Sequence, residues 1–419
     1  MKVFKFGGAS VKNAEGVRNV LKVLEKTGKS NNLLVVVSAM GKTTNALEEV
    51  VEAYLKNGNF REKLGAIKKF HQEIIAGLFA EADTAVLQKT ESFLNTLENF
   101  LEHNKSSKYD FVYDQVVSYG ELISTTIVSE FLEHSGFPNK WLDVRHLIKT
   151  DATYRDAQIN WRDTQFEIRK HTRTNLLNIT QGFIGSDPNN FTTTLGREGS
   201  DYTAAIFAYC LDAESVTIWK DVPGVLNGDP SIFQNTRLLE QISYEEAIEL
   251  AFYGASVIHP KTLQPLQGKE IPLYVKSFLD PEGSGTAVRK GLHLSPRIPC
   301  FIVKKNQVLI SLSSLDFSFM LEENISEIFR LFHLYQIKVD LIQNSAISFS
   351  VCVDNRFNNL EKLIQHLKAR FKVSYTKKVS LYTIRHFDEA AIKLLEKGKE
   401  VLLKQLTHNT MQMVTKENI

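Results

Sequence analysis

The chain has 419 residues, 43% of them hydrophobic and 23% charged, with a formal net charge of +2. That is apolar material for two or three packed domains and excludes a disordered or fibrous chain. A balance so close to neutral excludes a global field for nucleic acid, and Lys68-Lys69 and Lys304-Lys305 are too short to track a phosphate backbone.

Residues 3–6 are a short apolar strand carrying one lysine, Lys5, and they run into Gly7-Gly8, Ala9 and Ser10. The spacing of Val17, Val20, Leu21 and Leu24 predicts a helix over 13–26, and 33–38 (LLVVVS) predicts a strand buried on both faces, so the chain opens with a βαβ unit. Residues 45–104 are long, charged and helically periodic, and read as a helical insertion at the sheet edge. A helix over 121–134 and a strand over 141–144 follow. Further strands are predicted at 178–184, 192–194, 215–219 and 273–277, with helices at 202–211 and 244–253 between them. This alternation predicts an α/β layered fold with a mainly parallel sheet.

Residues 280–299 hold three prolines and three glycines without periodicity, and mark the expected boundary between a domain at 1–290 and a region at 300–419. After it the order is strand 308–312, helix 326–335, strands 339–343 and 347–353, helix 360–371 and strand 373–376. That is a ferredoxin-like β-α-β-β-α-β module over about 306–377. A partial second unit over about 378–419 is expected as strand 380–385, helix 388–406 and strand 411–415, truncated after its second strand.

No run reaches the ~18 apolar residues of a membrane span, and the N-terminus starts with a strand rather than a signal peptide. Cys210, Cys300 and Cys352 are odd in number, far apart and set among apolar residues. They read as buried free thiols in a reducing compartment, so a cytoplasmic protein with no membrane and no nucleic acid partner is expected.

The strand ending in Gly7-Gly8 can bring backbone N–H groups and the Lys5 ammonium onto one anion. Residues 38–45 (SAMGKTTN) follow a strand and precede a helix, so Ser38, Thr44 and Asn45 can hold an anion or cap the helix. They are not a P-loop, whose first glycine would fall on Val36 inside a strand. A second glycine-rich turn, 194–201 (TLGREGSD), carries Arg197, Ser200 and Asp201, with Asp201 at a helix N-terminus. Glu121, in SYGE, is expected in the first turn of its helix, where a carboxylate complements the dipole.

These segments resemble the aspartate kinases of the amino-acid kinase superfamily, which have a lysine-bearing FGG turn at the N-terminus and a GR-x-GSD turn near residue 200. WKDVPGVLNGDP (219–230) is similar to the family's nucleotide loop, and GASVIHP (254–260) to its GAKV-hydrophobic-HP. The resemblance implies Lys5 and Asp201 as catalytic residues. It implies Ser38, Thr44, Asn45, Glu121, Arg197 and Ser200 around L-aspartate, with Glu121 on its amino group and Arg197 on a carboxylate. Lys5, Gly7, Gly8, Ser10, Lys220, Asp221, Asp229, Pro230 and Ser256 would surround ATP and its phosphates. Mg²⁺ is implied, held by phosphate oxygens and water rather than by protein side chains.

The C-terminal region resembles an ACT module, the amino-acid-sensing unit of the same family, with Ser318, Met320, Asp340 and Ser345 at the implied effector positions. Loss of the family's TSE carboxylate, here Asn344-Ser345-Ala346, implies weak or absent feedback by lysine or threonine. A homodimer is expected from an unpaired ACT edge strand. The chain departs from the family at Ala9, Glu198, Lys220, Leu226, Ser231 and Ser256. Glu198 stands in place of a glycine and Lys220 in place of a small hydroxyl residue; Lys220 is expected to supply the charge missing at Ser231 and Ser256. The activity implied is ATP-dependent phosphorylation of the aspartate side-chain carboxylate, the first step toward lysine, threonine and methionine. Two other readings stay open: a sister kinase acting on glutamate, acetylglutamate or UMP, and a non-catalytic amino-acid-binding regulator.

Overall fold

In the computed structural model, which describes residues 1–27, 32–79, 84–255, 258–316, 318–356 and 358–416, the N-terminal apolar run is a central strand. The chain divides into two units. The first is Met1–Val225, Leu238–Ile248 and Val257–Ser295; the second is Leu226–Arg237, Glu249–Ser256 and Pro296–Ile419.

The first unit contains β1 (Lys2–Phe6), α1 (Ala14–Thr27), β2 (Leu33–Val37), α2 (Thr43–Leu55), α3 (Phe60–Leu78), α4 (Thr84–His103) and α5 (Tyr109–His134). It continues with β3 (Asn139–Leu142), α6 (Trp161–His171), β4 (Leu177–Gln181), β5 (Ile184–Ser186), β6 (Thr192–Thr194), α7 (Gly199–Leu211) and β7 (Ser215–Lys220). The short β8 (Gln241–Ile242), the start of α8 (Tyr244–Tyr253), whose residues from Glu249 on are counted with the second unit, α9 (Pro260–Gly268), β9 (Leu273–Ser277) and β10 (Thr286–Val288) follow.

Eight strands form one sheet in the order β3-β4-β2-β1-β7-β9-β10-β8, all neighbours parallel except β9 and β10. In register, Lys5 lies between Val36 and Ile218, so the carboxyl ends of β1, β2 and β7 share one edge of the sheet. That edge is where an open parallel sheet presents its loops to ligands. β2 is buried at every position, and Trp219 packs between Phe4 and Phe6 at ring distances of 5.6 and 6.1 Å.

Three helices, α2 to α4, fill the predicted helical stretch. The helix expected at 121–134 begins twelve residues earlier, at Tyr109, so Glu121 sits mid-helix and not in a first turn. The reason is burial on all sides: α5 is buried around its circumference, polar residues included, and shows no apolar stripe to read. Gly120 is a contact point within the helix, since a Cβ there would lie 3.1 Å from Ala39 Cβ and 3.2 Å from Leu47 Cδ1. The strand expected at 178–184 breaks into β4 and β5, because Phe183 adopts φ 73°.

The second unit contains β11 (Cys300–Ser314), α10 (Glu322–Leu334), β12 (Lys338–Asn344), β13 (Ser348–Asp354), α11 (Leu360–Lys368) and β14 (Phe371–Arg385). It closes with α12 (Glu389–Glu396), β15 (Glu400–Leu406) and β16 (Thr410–Lys416). Its antiparallel sheet has the order β12-β13-β11-β14-β16-β15. The helix expected over 388–406 stops at Glu396, and 400–406 is a strand. Gly398, at φ 73°, ends the helical run, and β15 then pairs with β16 along its length. The strands expected at 373–376 and 380–385 are one, β14, continuous through Lys378 at φ 55°. Among the described residues no helix is long and apolar enough to cross a membrane.

Candidate active site

The loops at the carboxyl edge of the first unit's sheet enclose a cavity of about 530 Å³. Lys5, Gly8, Ser38, Thr44, Glu121, Arg197, Ser200, Asp201 and Lys220 line it, brought from five different segments of the chain.

Lys5 comes from the middle strand, and its Nζ lies 2.6 Å from Asp201 Oδ1. Asp201 is in the first turn of α7, where the helix dipole favours a carboxylate. Lys220, at the end of β7, reaches the other oxygen, Oδ2, at 3.7 Å. Burial disfavours ionised Asp201, but the Lys5 and Lys220 charges outweigh it and hold the carboxyl below its ordinary range.

Gly8 is fixed by close packing. A Cβ would stand 2.8 Å from both the Ala39 and the Gly41 carbonyl oxygens, and Gly41 N–H donates to Gly8 O at 3.0 Å. The first glycine turn and the loop after β2 are therefore one construction. Ser10 lies behind it with its Oγ buried and unpartnered. Such an orphaned hydroxyl beside a glycine turn suits an anion.

Glu121 faces the cavity from α5 and is 2% exposed. Burial pushes its carboxyl up to about 8, although its own N–H and that of Ala39 act against the shift, and Oε2 accepts no hydrogen bond. An unpaired buried carboxyl of this kind is a receptor for a cation. Arg197 is exposed at the rim and makes no ion pair among the described residues.

Several expected residues are outside the cavity lining. Gly7, Ser10 and Asn45 do not line the cavity, and Asn45 is exposed on α2. Asp221 is exposed after β7 and also outside the lining. Asp229 and Pro230 belong to the second unit, where Asp229 Oδ1 accepts from Ser231 N and Oγ at 2.8 and 2.6 Å. Ser256 lies outside the described residues.

Sequence reasoning did not assign Tyr113, Asp114, Arg155 or Thr194 to the site, and named Glu198 only as a departure from the family. Buried Asp114 accepts from Thr194 N (2.7 Å), Thr194 Oγ1 (2.8 Å) and Arg155 N (3.0 Å), tying α5 to two of the cavity's loops. Burial raises its carboxyl to about 6 against those hydrogen bonds. Arg155, at φ 69°, lays its guanidinium 4.5 Å from the Tyr113 ring centre and lines the same cavity. The available signal was an aspartate inside an apolar helical run, seven residues and about two turns before Glu121.

The amino acid kinase family model matches residues 1–277. Lysine-sensitive aspartokinase 3 of Escherichia coli (strain K12) is 34% identical over 358 residues, covering 84% of this chain and 78% of that protein. This chain belongs to the amino acid kinase family, among the aspartokinases. Aspartokinase 2, chloroplastic, of Arabidopsis thaliana is 29% identical over 428 residues, 95% of this chain and 76% of that protein. Among solved aspartokinases, E. coli aspartokinase III in complex with lysine and aspartate superposes with a TM-score of 0.83 at 30% identity, over 99% of this chain and 95% of that one. The same E. coli enzyme in complex with aspartate and ADP gives 0.82 at 28% identity, over 99% and 96%.

In this aspartokinase the expected effector positions lie around the β11–α10 turn and β12. Ser318 is exposed, its carbonyl accepting from Ser314 Oγ at 2.8 Å, and Met320 is buried. The Asp340 carboxylate is occupied by Lys304 at 2.8 Å, and Ser345 Oγ lies 2.7 Å from Ser348 Oγ.

Proposed function

We propose that this chain is an aspartate kinase, transferring the γ-phosphoryl group of ATP to the side-chain carboxylate of L-aspartate. The product is 4-phospho-L-aspartate, the first intermediate toward lysine, threonine and methionine. The observation that carries the reading is the polarity of one cavity. A lysine–aspartate pair backed by a second lysine lies at one end, and an unpaired buried carboxyl faces the same space.

A carboxylate is already a nucleophile at neutral pH, so the reaction needs positioning and charge neutralisation rather than a general base. An aspartate oxygen attacks the γ-phosphorus, the bond to the β–γ bridging oxygen breaks, and ADP leaves with that electron pair. Lys5, oriented by Asp201, neutralises charge on the transferring group, and the Gly7-Gly8 turn gives it backbone N–H donors. Glu121 takes the substrate ammonium and Arg197 its α-carboxylate, with Ser38, Thr44 and Ser200 completing the acceptor side. Among the described residues no group of three or more His, Cys, Asp or Glu could hold a metal ion. Mg²⁺ would enter such a site on the nucleotide phosphates, held by their oxygens and water.

We also propose a homodimer formed through the second unit. Its sheet has an open edge at β12, where Ile342 is exposed, and Leu315, Phe319 and Leu321 are each more than half exposed near the end of β11. The effector response is read as weak, because Asp340 is committed to Lys304.

The deciding assay is ADP release with aspartate, glutamate, acetylglutamate and UMP as acceptors, with hydroxylamine present to trap an acyl phosphate. Turnover and hydroxamate formation are expected with aspartate alone. Equal turnover with another acceptor, or none with aspartate, would overturn the reading.

A further inference from the structure

Arg155 brings to the cavity a guanidinium whose donors no neighbour uses. The residue stands at φ 69°, in the left-handed region that a side chain makes costly. Its N–H donates to both oxygens of buried Asp114, at 3.0 and 3.2 Å, which holds the backbone there. The side chain lies across two rings of α5, 4.5 Å from the centre of Tyr113 and 5.3 Å from that of Tyr109. A platform of this kind orients the fork without consuming its N–H groups. Its acidic neighbours are Glu48 at 3.7 Å and Asp110 at 3.6 Å, both beyond hydrogen-bond reach. The Glu48 oxygen concerned, Oε1, already accepts from Tyr109 Oη at 3.0 Å. Among the described residues the guanidinium itself makes no hydrogen bond.

The backbone sets this fork beside the segment that carries Arg197. Ala157 N–H donates to Thr194 O at 3.0 Å, and a Cβ on Gly196 would lie 3.2 Å from Arg155 O, so 155–157 runs against 194–196. Asp114 ties the two segments together, since it also accepts from Thr194 N and Oγ1. Arg155 and Arg197 flank this contact and both line the cavity, which Glu121 shares with its unpaired carboxyl oxygen. A strained backbone, a buried carboxyl and two stacked rings are thus spent on presenting one unused fork to a binding space, and strain of this kind gathers where function demands it.

We propose that Arg155 is a second arginine of the acceptor's carboxylate clamp: with Arg197 it holds the α-carboxylate, the one that does not react. The inference rests on the reading of the acceptor subsite given above, with Glu121 on the ammonium. A carboxylate has lone pairs enough for two forks, and charge-assisted bonds to both select an amino acid whose α-carboxyl is free. Binding costs Arg155 only two long ion pairs and leaves its ring platform in place.

Calorimetry with L-aspartate and with L-aspartate α-amide tests this on the parent and on Arg155→Gly. The amide keeps the ammonium and the side-chain carboxylate and lacks only the α-carboxylate charge. Glycine suits φ 69°, so the variant keeps the backbone and removes only the fork. Arg155→Gly is expected to weaken aspartate about tenfold and to leave the α-amide within about twofold of the parent. Equal weakening of both ligands would make Arg155 structural and overturn the proposal. So would an unchanged aspartate affinity, or a parent that binds the two ligands equally. Binding requires no turnover, so a parent that binds aspartate without phosphorylating it would sink the activity proposed above and leave this comparison readable. A parent that binds neither ligand would sink both.

Discussion

Lys5 and Asp201 form the closest charged contact lining the cavity, and what each residue does there follows from its surroundings. Lys5→Ala is expected to lower kcat far more than it changes the KM for aspartate. A donor acting on charge that develops during transfer is worth roughly 3–4 kcal/mol, on the scale of an oxyanion-hole contact. Lys5→Arg should not rescue it, because a planar fork does not replace a point charge beside Asp201. Steady-state kinetics decide it; retention of more than about a tenth of the rate would remove Lys5 from the mechanism.

Glu121 supplies a pH signature. Its carboxyl is raised to about 8 in the folded chain, above an unfolded value near ~4.3. Between those values the folded state holds a proton that the unfolded state has lost, so stability from this group falls as pH rises through that window. Glu121→Gln should flatten that decline in denaturation curves taken from pH 5 to 8. The proposed ammonium contact favours the ionised form, so aspartate binding should expel about one proton at pH 7 and tighten as pH rises toward 8. Calorimetry in two buffers of different ionisation heat reads the proton directly. No release, or release undiminished in Glu121→Gln, would assign the ammonium elsewhere. The residues legible in the sequence were those in glycine-rich turns, where a charged side chain beside Gly-Gly is a local signal. Asp114 and Arg155 were not, because their importance lies in hydrogen bonds to segments 41 and 80 residues away.

Among elements, the N-terminal βαβ unit and the strands around it were readable because buried parallel strands are continuous apolar runs. The long α5 was not, since a helix buried all round has no stripe. The same kind of close packing makes a prediction at the turn after β1. Gly8→Ala would place a Cβ 2.8 Å from two backbone oxygens, and neither carbonyl can rotate away without opening the loop after β2. A loss of roughly 1–3 kcal/mol in stability is expected, with activity falling further than stability because that loop carries Ser38 and Thr44. Chemical denaturation beside a kcat measurement checks it; a variant as stable and active as the parent would mean the two turns are not one construction. At the C-terminus, periodicity could not separate a helix from a strand over 400–406, and pairing with β16 decided for the strand.

For the whole molecule, composition and punctuation suggested a change from strand–helix alternation to ferredoxin-like order across 280–299. They could not show that 226–237 and 249–256 cluster with the C-terminal unit, because that depends on contacts such as Asn227 Nδ2 to Pro299 O at 2.9 Å and Arg385 to Glu249 at 3.3 Å. Oligomeric state belongs to this scale. Light scattering at micromolar concentration is expected to give twice the chain mass, and Ile342→Lys on β12 to shift it toward the single chain, since a charge there blunts an open edge. A single-chain mass for the parent would refute the dimer.

One feature of the second unit bears on how it comes apart. β11 and β14 pair from Cys300–Arg385 at one end to Ser314–Phe371 at the other, kinked where Asn306 and Lys378 take positive φ. At ~3.3 Å per residue each strand runs about 50 Å. β12 and β13 continue the sheet from one flank of this ribbon and β16 and β15 from the other, so the two ferredoxin-like halves have no seam between them. A protease cut at the exposed turn around Gln336 would therefore separate two chains on a denaturing gel but not in native chromatography. The fragments would stay laced along the ribbon, and neither half could be shed or exchanged as a module without exposing the full edge of the other.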